Sequence, residues 1–180
     1  LIPAKADSDD IALNAINDIF GGLSSSRINM NLREDKHWSY GARSLIWGTQ
    51  AQRPLIIYAP VQTDKTVESI QELQNELTGI IGDEPATAEE LAHTKKTKTL
   101  SLSGRWETGG AVLASIIDIV RFGLPDDYWN QYSNEINALN LDDINTAAEI
   151  IIKPDELVWV VVGDRAKIEA GLESLDMGAL

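Results

Sequence analysis

Residues 19–44 read IFGGLSSSRINMNLREDKHWSYGARS. The stretch closes one helical pattern, opens a shorter one and runs into a strand-like one. It also gathers Arg27, Arg33, Lys36, His37 and Arg43 with Trp38 and Tyr40 in a chain whose net charge is −13. N-terminal to it, residues 9–20 carry Ile11, Ala12, Ala15, Ile16, Ile19 and Phe20 at helical spacing. Asp9 and Asp10 suit the positive end of that helix, and Gly21-Gly22 is expected to stop it. Ser24 to Ser26 offer N-caps to a second helix over 27–36. From Tyr40 onward, YGARSLIWGTQ and PLIIYAPVQ read as two strands joined by a polar turn at 49–53, the signature of an antiparallel hairpin.

The rest of the chain is mostly helical. Val67, Ile70, Leu73, Leu77 and Ile80 form one stripe, broken at Gly82 and Pro85. Thr87-Ala-Glu-Glu90 is a capping-box signature that opens the next helix. Helices are expected over 107–123, ended by Gly123-Leu-Pro125, and over 126–139, 141–152 and 165–175. ELVWVVVGD, residues 156–164, reads as the clearest strand, continuous and β-branched. The order predicts an α+β layer fold: a small mixed, largely antiparallel sheet packed with several helices.

At 180 residues a single domain is expected, with a core of its own. No apolar run approaches the ~18 residues of a membrane span. With 28 acidic against 15 basic residues, the surface repels phosphate backbones, so nucleic acid is not an expected partner. Cysteine is absent, which removes disulfides and thiolate metal sites. The chain begins at Leu1 and reads as a piece of a longer polypeptide.

Few constellations for chemistry survive inspection. A catalytic zinc needs three protein ligands and an open position. This chain has two histidines, His37 followed by WSYG and His93 followed by TKKT, and neither opens an HxxEH or HExxH motif. GGLSSS is not a nucleophile elbow, and no histidine is placed along the chain to serve Ser24 to Ser26. GRWETGG lacks the Lys-Ser/Thr of a phosphate loop. KKTKT at 95–99 reads as a solvated face, and His93 as a surface residue. Arg33 and Tyr40 remain: a guanidinium fork binds carbonyl oxygens in fixed geometry, and a phenol donates to an oxyanion. Spacing alone favours a plainer reading, with Arg33 paired to a neighbouring carboxylate and Tyr40 in the core.

The pattern resembles the C-terminal-type domain of the pitrilysin/insulinase zinc peptidases, the group that includes the mitochondrial processing peptidase. Gly21-Gly22, Ser25-Ser26-Arg27, Leu32-Arg33-Glu34 and Tyr40 follow the order of that family's GG, SSR, LRE and Y positions. TAEELAHTKKTKTLSL and the closing LDDINTAAEIIIKPDELVWVVVGD resemble its later segments. The resemblance implies the processing-peptidase/LuxS-like metallohydrolase fold and a single non-zinc peptidase domain over 1–180. It also implies a clamshell partner, a domain or subunit carrying HxxEH and the zinc, reached through a longer chain or a homo- or heterodimer. No cofactor is expected on this chain. By position, Arg33 would anchor a substrate carbonyl and Tyr40 would help stabilise the oxyanion, with an extended peptide as substrate. The chain alone is then expected to be inactive. The alternatives are a catalytically silent scaffold and a peptide-binding relative. A bacterial periplasm or envelope is favoured over the cytoplasm.

Overall fold

The structure is a computed structural model that describes residues 1–7, 9–175 and 177–178. Its centre is α1, Asp10–Asn17, whose N-cap Asp9 accepts from the Ala12 amide at 3.1 Å. Ile11, Leu13, Ala15 and Ile16 are buried along it. The helical run ends at the glycines, as expected, but not as an α-helix. It widens into a π-helical turn over Asp18–Gly22, with Phe20 fully buried.

Gly21 owes its identity to a close approach rather than to helix breaking. A Cβ there would stand 2.5 Å from the Ser44 amide nitrogen and 2.7 Å from Ile28 Cδ1. The widened turn thus lies directly on the hairpin, and the Ser44 hydroxyl donates to Asn17 Oδ1 at 2.8 Å.

The second helix, α2 (Arg27–Asn29), widens in the same way over Met30–Asp35, matching the expected 27–36 segment. Ser26 holds its N-cap position but makes no side-chain capping bond, so the expected serine cap is absent. The hairpin pairs β1 (Arg43–Ile46) with β2 (Leu55–Tyr58) antiparallel, Arg43 opposite Tyr58 and Ile46 opposite Leu55. Isolated bridges extend it, Ile2 to Arg53 and Ser39 to Val61. Arg53, 1% exposed, closes the first of these ends by pairing with Asp10 at 2.6 Å and donating to the Pro3 carbonyl. Burying that guanidinium is tolerable because the Asp10 carboxylate balances its charge and the Pro3 carbonyl accepts from its Nε.

The later helices are α3 (Thr66–Ile80), α4 (Ala88–Leu102), α5 (Gly109–Phe122), α6 (Tyr128–Ala138), α7 (Leu141–Ile151) and α8 (Arg165–Glu173). Thr87 and Glu90 form the full capping box at α4, and Asn140 with Asp143 form another at α7. Gly123 ends α5 in the left-handed conformation, as expected of a C′ glycine. α1 packs on α7, with α6, α4 and β1 around it, while α3 bridges the α2 segment and α8. Ile28, Leu32, Leu77, Ile80, Ile136 and Ile144 complete one core.

The architecture is α+β, as the sequence pattern predicts. ELVWVVVGD departs from expectation: after a 3-10 turn at Pro154–Glu156, residues 157–162 form no strand. Leu157 and Trp159 face the core, while Val158, Val160 and Val162 are 88%, 81% and 93% exposed. The alternation is that of a strand. Among the described residues no neighbour supplies ladder hydrogen bonds, and β preference is realised only through such pairing.

Candidate functional site

The cationic groups of residues 24–44 separate by role once their partners are known. Arg27 is a latch. Its Nε and Nη2 donate to Glu90 Oε1 and Oε2 at 2.6 and 2.8 Å, and its Nη2 reaches the Pro85 carbonyl at 2.9 Å. The acceptor is the capping-box glutamate of α4, so one carboxylate closes a helix cap and ties α2 to it. The hydrogen bond to Glu90 raises the Arg27 pKa. Burial works to raise Glu90, but hydrogen bonds from Arg27 and Thr87 win and hold its carboxyl below the ordinary value.

Lys36 pairs with Glu72 at 3.1 Å and lies 5.5 Å from the Trp38 ring centroid, with Lys65 at 5.3 Å. Arg43 lies over the Tyr58 ring at 5.5 Å. The KKTKT run is not a purely solvated face. Lys95 donates to the Asn137 carbonyl at 2.8 Å, and Lys98 pairs at 2.6 Å with Asp18. Burial raises the Asp18 pKa, and Lys98 opposes that rise.

Arg33 and Tyr40 fare differently. Arg33 sits in the last turn of the α2 segment, its side chain 49% exposed, with Glu34 Oε1 3.3 Å from its Nε. Tyr40 stands in the connection to β1 and is fully exposed at 101%. The plainer expectation holds for the Arg33 partner and fails for Tyr40, which is no core residue. Arg33 leaves the end of the helical segment and Tyr40 the connection that follows it, and no hydrogen bond or cation–π contact joins them.

The connection itself is tightly held. The Trp38 and Ser39 amides both donate to the Leu32 carbonyl, at 2.9 and 3.2 Å. Ser39 Oγ donates to the Pro60 carbonyl at 2.7 Å and accepts from the Gly41 amide at 3.0 Å. The Ala42 amide donates to Asn29 Oδ1 at 3.2 Å. The lip therefore offers a guanidinium, which only donates, and a phenol, which donates and accepts, on a braced backbone.

The two histidines are engaged separately. His37 Nδ1 lies 3.0 Å from the Arg33 carbonyl, and His93 Nε2 lies 3.1 Å from Ser25 Oγ. The second contact corrects the expectation that no histidine reaches Ser24 to Ser26; the loop and α4 meet only in the folded chain. Both groups are exposed, and among the described residues no carboxylate bonds to His93 to complete a triad. No group of three or more His, Asp or Glu among the described residues is arranged to hold a metal ion. The described residues thus do not fit a zinc site. No described helix is long and apolar enough to cross a membrane.

The domain is a helical α+β fold whose lip presents the Arg33 guanidinium, a donor, and the Tyr40 phenol, which can donate and accept. The family model described as "Peptidase M16 inactive domain" matches residues 1–98, more than half of the sequence. The chain belongs to the M16 peptidase family, through its inactive domain.

Solved structures share the fold. A peptidase M16 inactive domain from Pseudomonas fluorescens superposes with a TM-score of 0.79 at 19% identity, over 87% of this chain and 37% of that one. A protease from Helicobacter pylori gives 0.75 at 20% identity, over 85% and 37%. A conserved protein from Enterococcus faecalis V583 gives 0.70 at 22% identity, over 82% and 34%. This chain spans little more than a third of the length of each. A search of curated proteins finds no match.

Proposed function

We propose that the chain is the substrate-clamping, non-zinc half of a pitrilysin-type metalloendopeptidase. It would hold an extended peptide against a half that carries HxxEH, either in the same polypeptide or on a separate subunit, and that half would supply metal and general base. The observation that supports the reading is the full exposure of Tyr40 between braced neighbours. A tyrosine wholly in water contributes nothing to a core, and its donor is free for a ligand. Arg33 would grip a peptide carbonyl with its fork, and Tyr40 would donate to the oxyanion as charge develops. Closure of the two halves would exclude water and strengthen both interactions.

The experiment is Tyr40→Phe in this chain, reconstituted with the HxxEH half and assayed on a quenched fluorogenic peptide library. Turnover is expected to fall by roughly 10²-fold or more with little change in KM. The unfolding midpoint should not move, because the lost hydroxyl has no partner among the described residues. Arg33→Lys keeps charge but not the fork, and should impair both KM and kcat. A silent scaffold instead predicts normal kcat/KM in both well-folded variants, and that result would remove the clamp reading.

A further inference from the structure

We propose that His37 is a positioning residue for the Arg33–Tyr40 lip; the role in catalysis rests on the clamp reading above. His37 has φ 58°, the sole positive φ at a non-glycine position among the described residues. For a residue with a Cβ the left-handed region is unfavourable, so contacts around it must hold it there.

Those contacts are specific. The imidazole reaches back along the helix to the Arg33 carbonyl at 3.0 Å, and since a carbonyl only accepts, Nδ1 carries the proton. Gln62 Nε2 donates to the His37 carbonyl at 2.9 Å, and the Gln62 amide donates to the Trp38 carbonyl at 2.9 Å. The reversal at His37 directs the Trp38 and Ser39 amides back onto the Leu32 carbonyl. It therefore sets the path from Arg33 to Tyr40 while binding the Arg33 backbone directly. An extended backbone at His37 would break the paired bonds to Leu32 and redirect the chain that leads from Arg33 to Tyr40. The imidazole itself touches the backbone and is not assigned to the substrate.

Two variants divide conformation from side-chain size. His37→Val is β-branched and excluded from the left-handed region. His37→Asn tolerates that region and keeps an N–H donor. In the chain itself, amide hydrogen exchange is read at Trp38 and Ser39. His37→Val is expected to speed both by about tenfold or more, with His37→Asn within about threefold of wild type. In the reconstituted enzyme on the same peptide library, His37→Val should lower kcat, and His37→Asn should restore most of the loss. The loss should multiply only in part with that of Tyr40→Phe, because part of it passes through the Tyr40 hydroxyl and the rest through Arg33.

Unchanged exchange in His37→Val overturns the assignment even where Arg33 and Tyr40 prove essential. Fully multiplicative losses in the double variant overturn it too. Faster exchange in His37→Val, with Tyr40→Phe and Arg33→Lys both inert, defeats the clamp reading and His37's role with it.

Discussion

Arg27 and Arg33 belong to the same short helical segment and have opposite surroundings. Arg27 is satisfied by Glu90 and the carbonyls beyond α3, whereas Arg33 keeps half of its side chain in water. Local sequence does not separate them, because the deciding partners lie in residues 84–90. The family resemblance is what points to Arg33 and Tyr40, while unaided spacing puts Tyr40 in the core. Its exposure is set by anchors at Pro60 and Gln62 across the hairpin. The Arg27 latch makes its own prediction. A charge-assisted fork at a part-buried site contributes about 1–3 kcal/mol, and Glu90→Gln should remove much of it at neutral pH. The Glu90 pKa is lowered on folding, so its contribution is present above the unfolded value of 4.5 and is lost as pH falls through the folded value. Chemical denaturation of both proteins across pH should show the wild-type advantage narrowing below about pH 4.5. A constant difference would show that the ionised carboxylate is not what stabilises the latch.

At the scale of elements, Gly21-Gly22 marks the right place in the sequence for an incomplete reason. Gly pairs break helices, and the α1 pattern does end there. What the chain needs is a bare Cα where the widened turn lies against β1, a contact made across the hairpin. Gly21→Ala should therefore destabilise the fold by about 1–3 kcal/mol, since backbone at Ser44 cannot yield as a side-chain end would. The capacity of Ala to favour a helix adds only a fraction of that in the other direction. Equilibrium unfolding in urea measures the balance, and a Gly21→Ala protein as stable as wild type would show that the turn can lift from β1 without loss. The helices were legible because their stripes and caps are local: the Thr87–Glu90 box and the Gly123 stop both occur where the residues indicate. The ELVWVVVGD strand was not, because a strand needs a neighbour and sequence composition cannot supply one.

For the molecule as a whole, the exposed valines at 158, 160 and 162 set surface behaviour more than stability. They present a β-branched apolar row on an extended backbone whose flanking ladder positions carry no partner among the described residues. Such an edge pairs readily with other chains unless charge or proline blunts it, and neither occurs within 157–162. The net charge of −13 works against association at low salt, because like chains repel over a Debye length of about 10 Å at 0.1 M. Raising salt to about 1 M shortens that length to ~3 Å and should unmask the row, so light scattering of the purified chain should grow with ionic strength. Val158→Thr with Val160→Thr keeps the β-branched shape and removes apolar surface. Because those side chains are 88% and 81% exposed, the unfolding midpoint should stay within about 0.5 kcal/mol of wild type while the salt-induced scattering falls. Leu157 and Trp159, packed on the core, give the contrasting control: Trp159→Ala should lower the midpoint. Equal scattering in the double threonine variant and wild type would place the association surface elsewhere, with the apolar stripe of Leu113, Ile116, Ile117 and Val120 on α5 next to be tested.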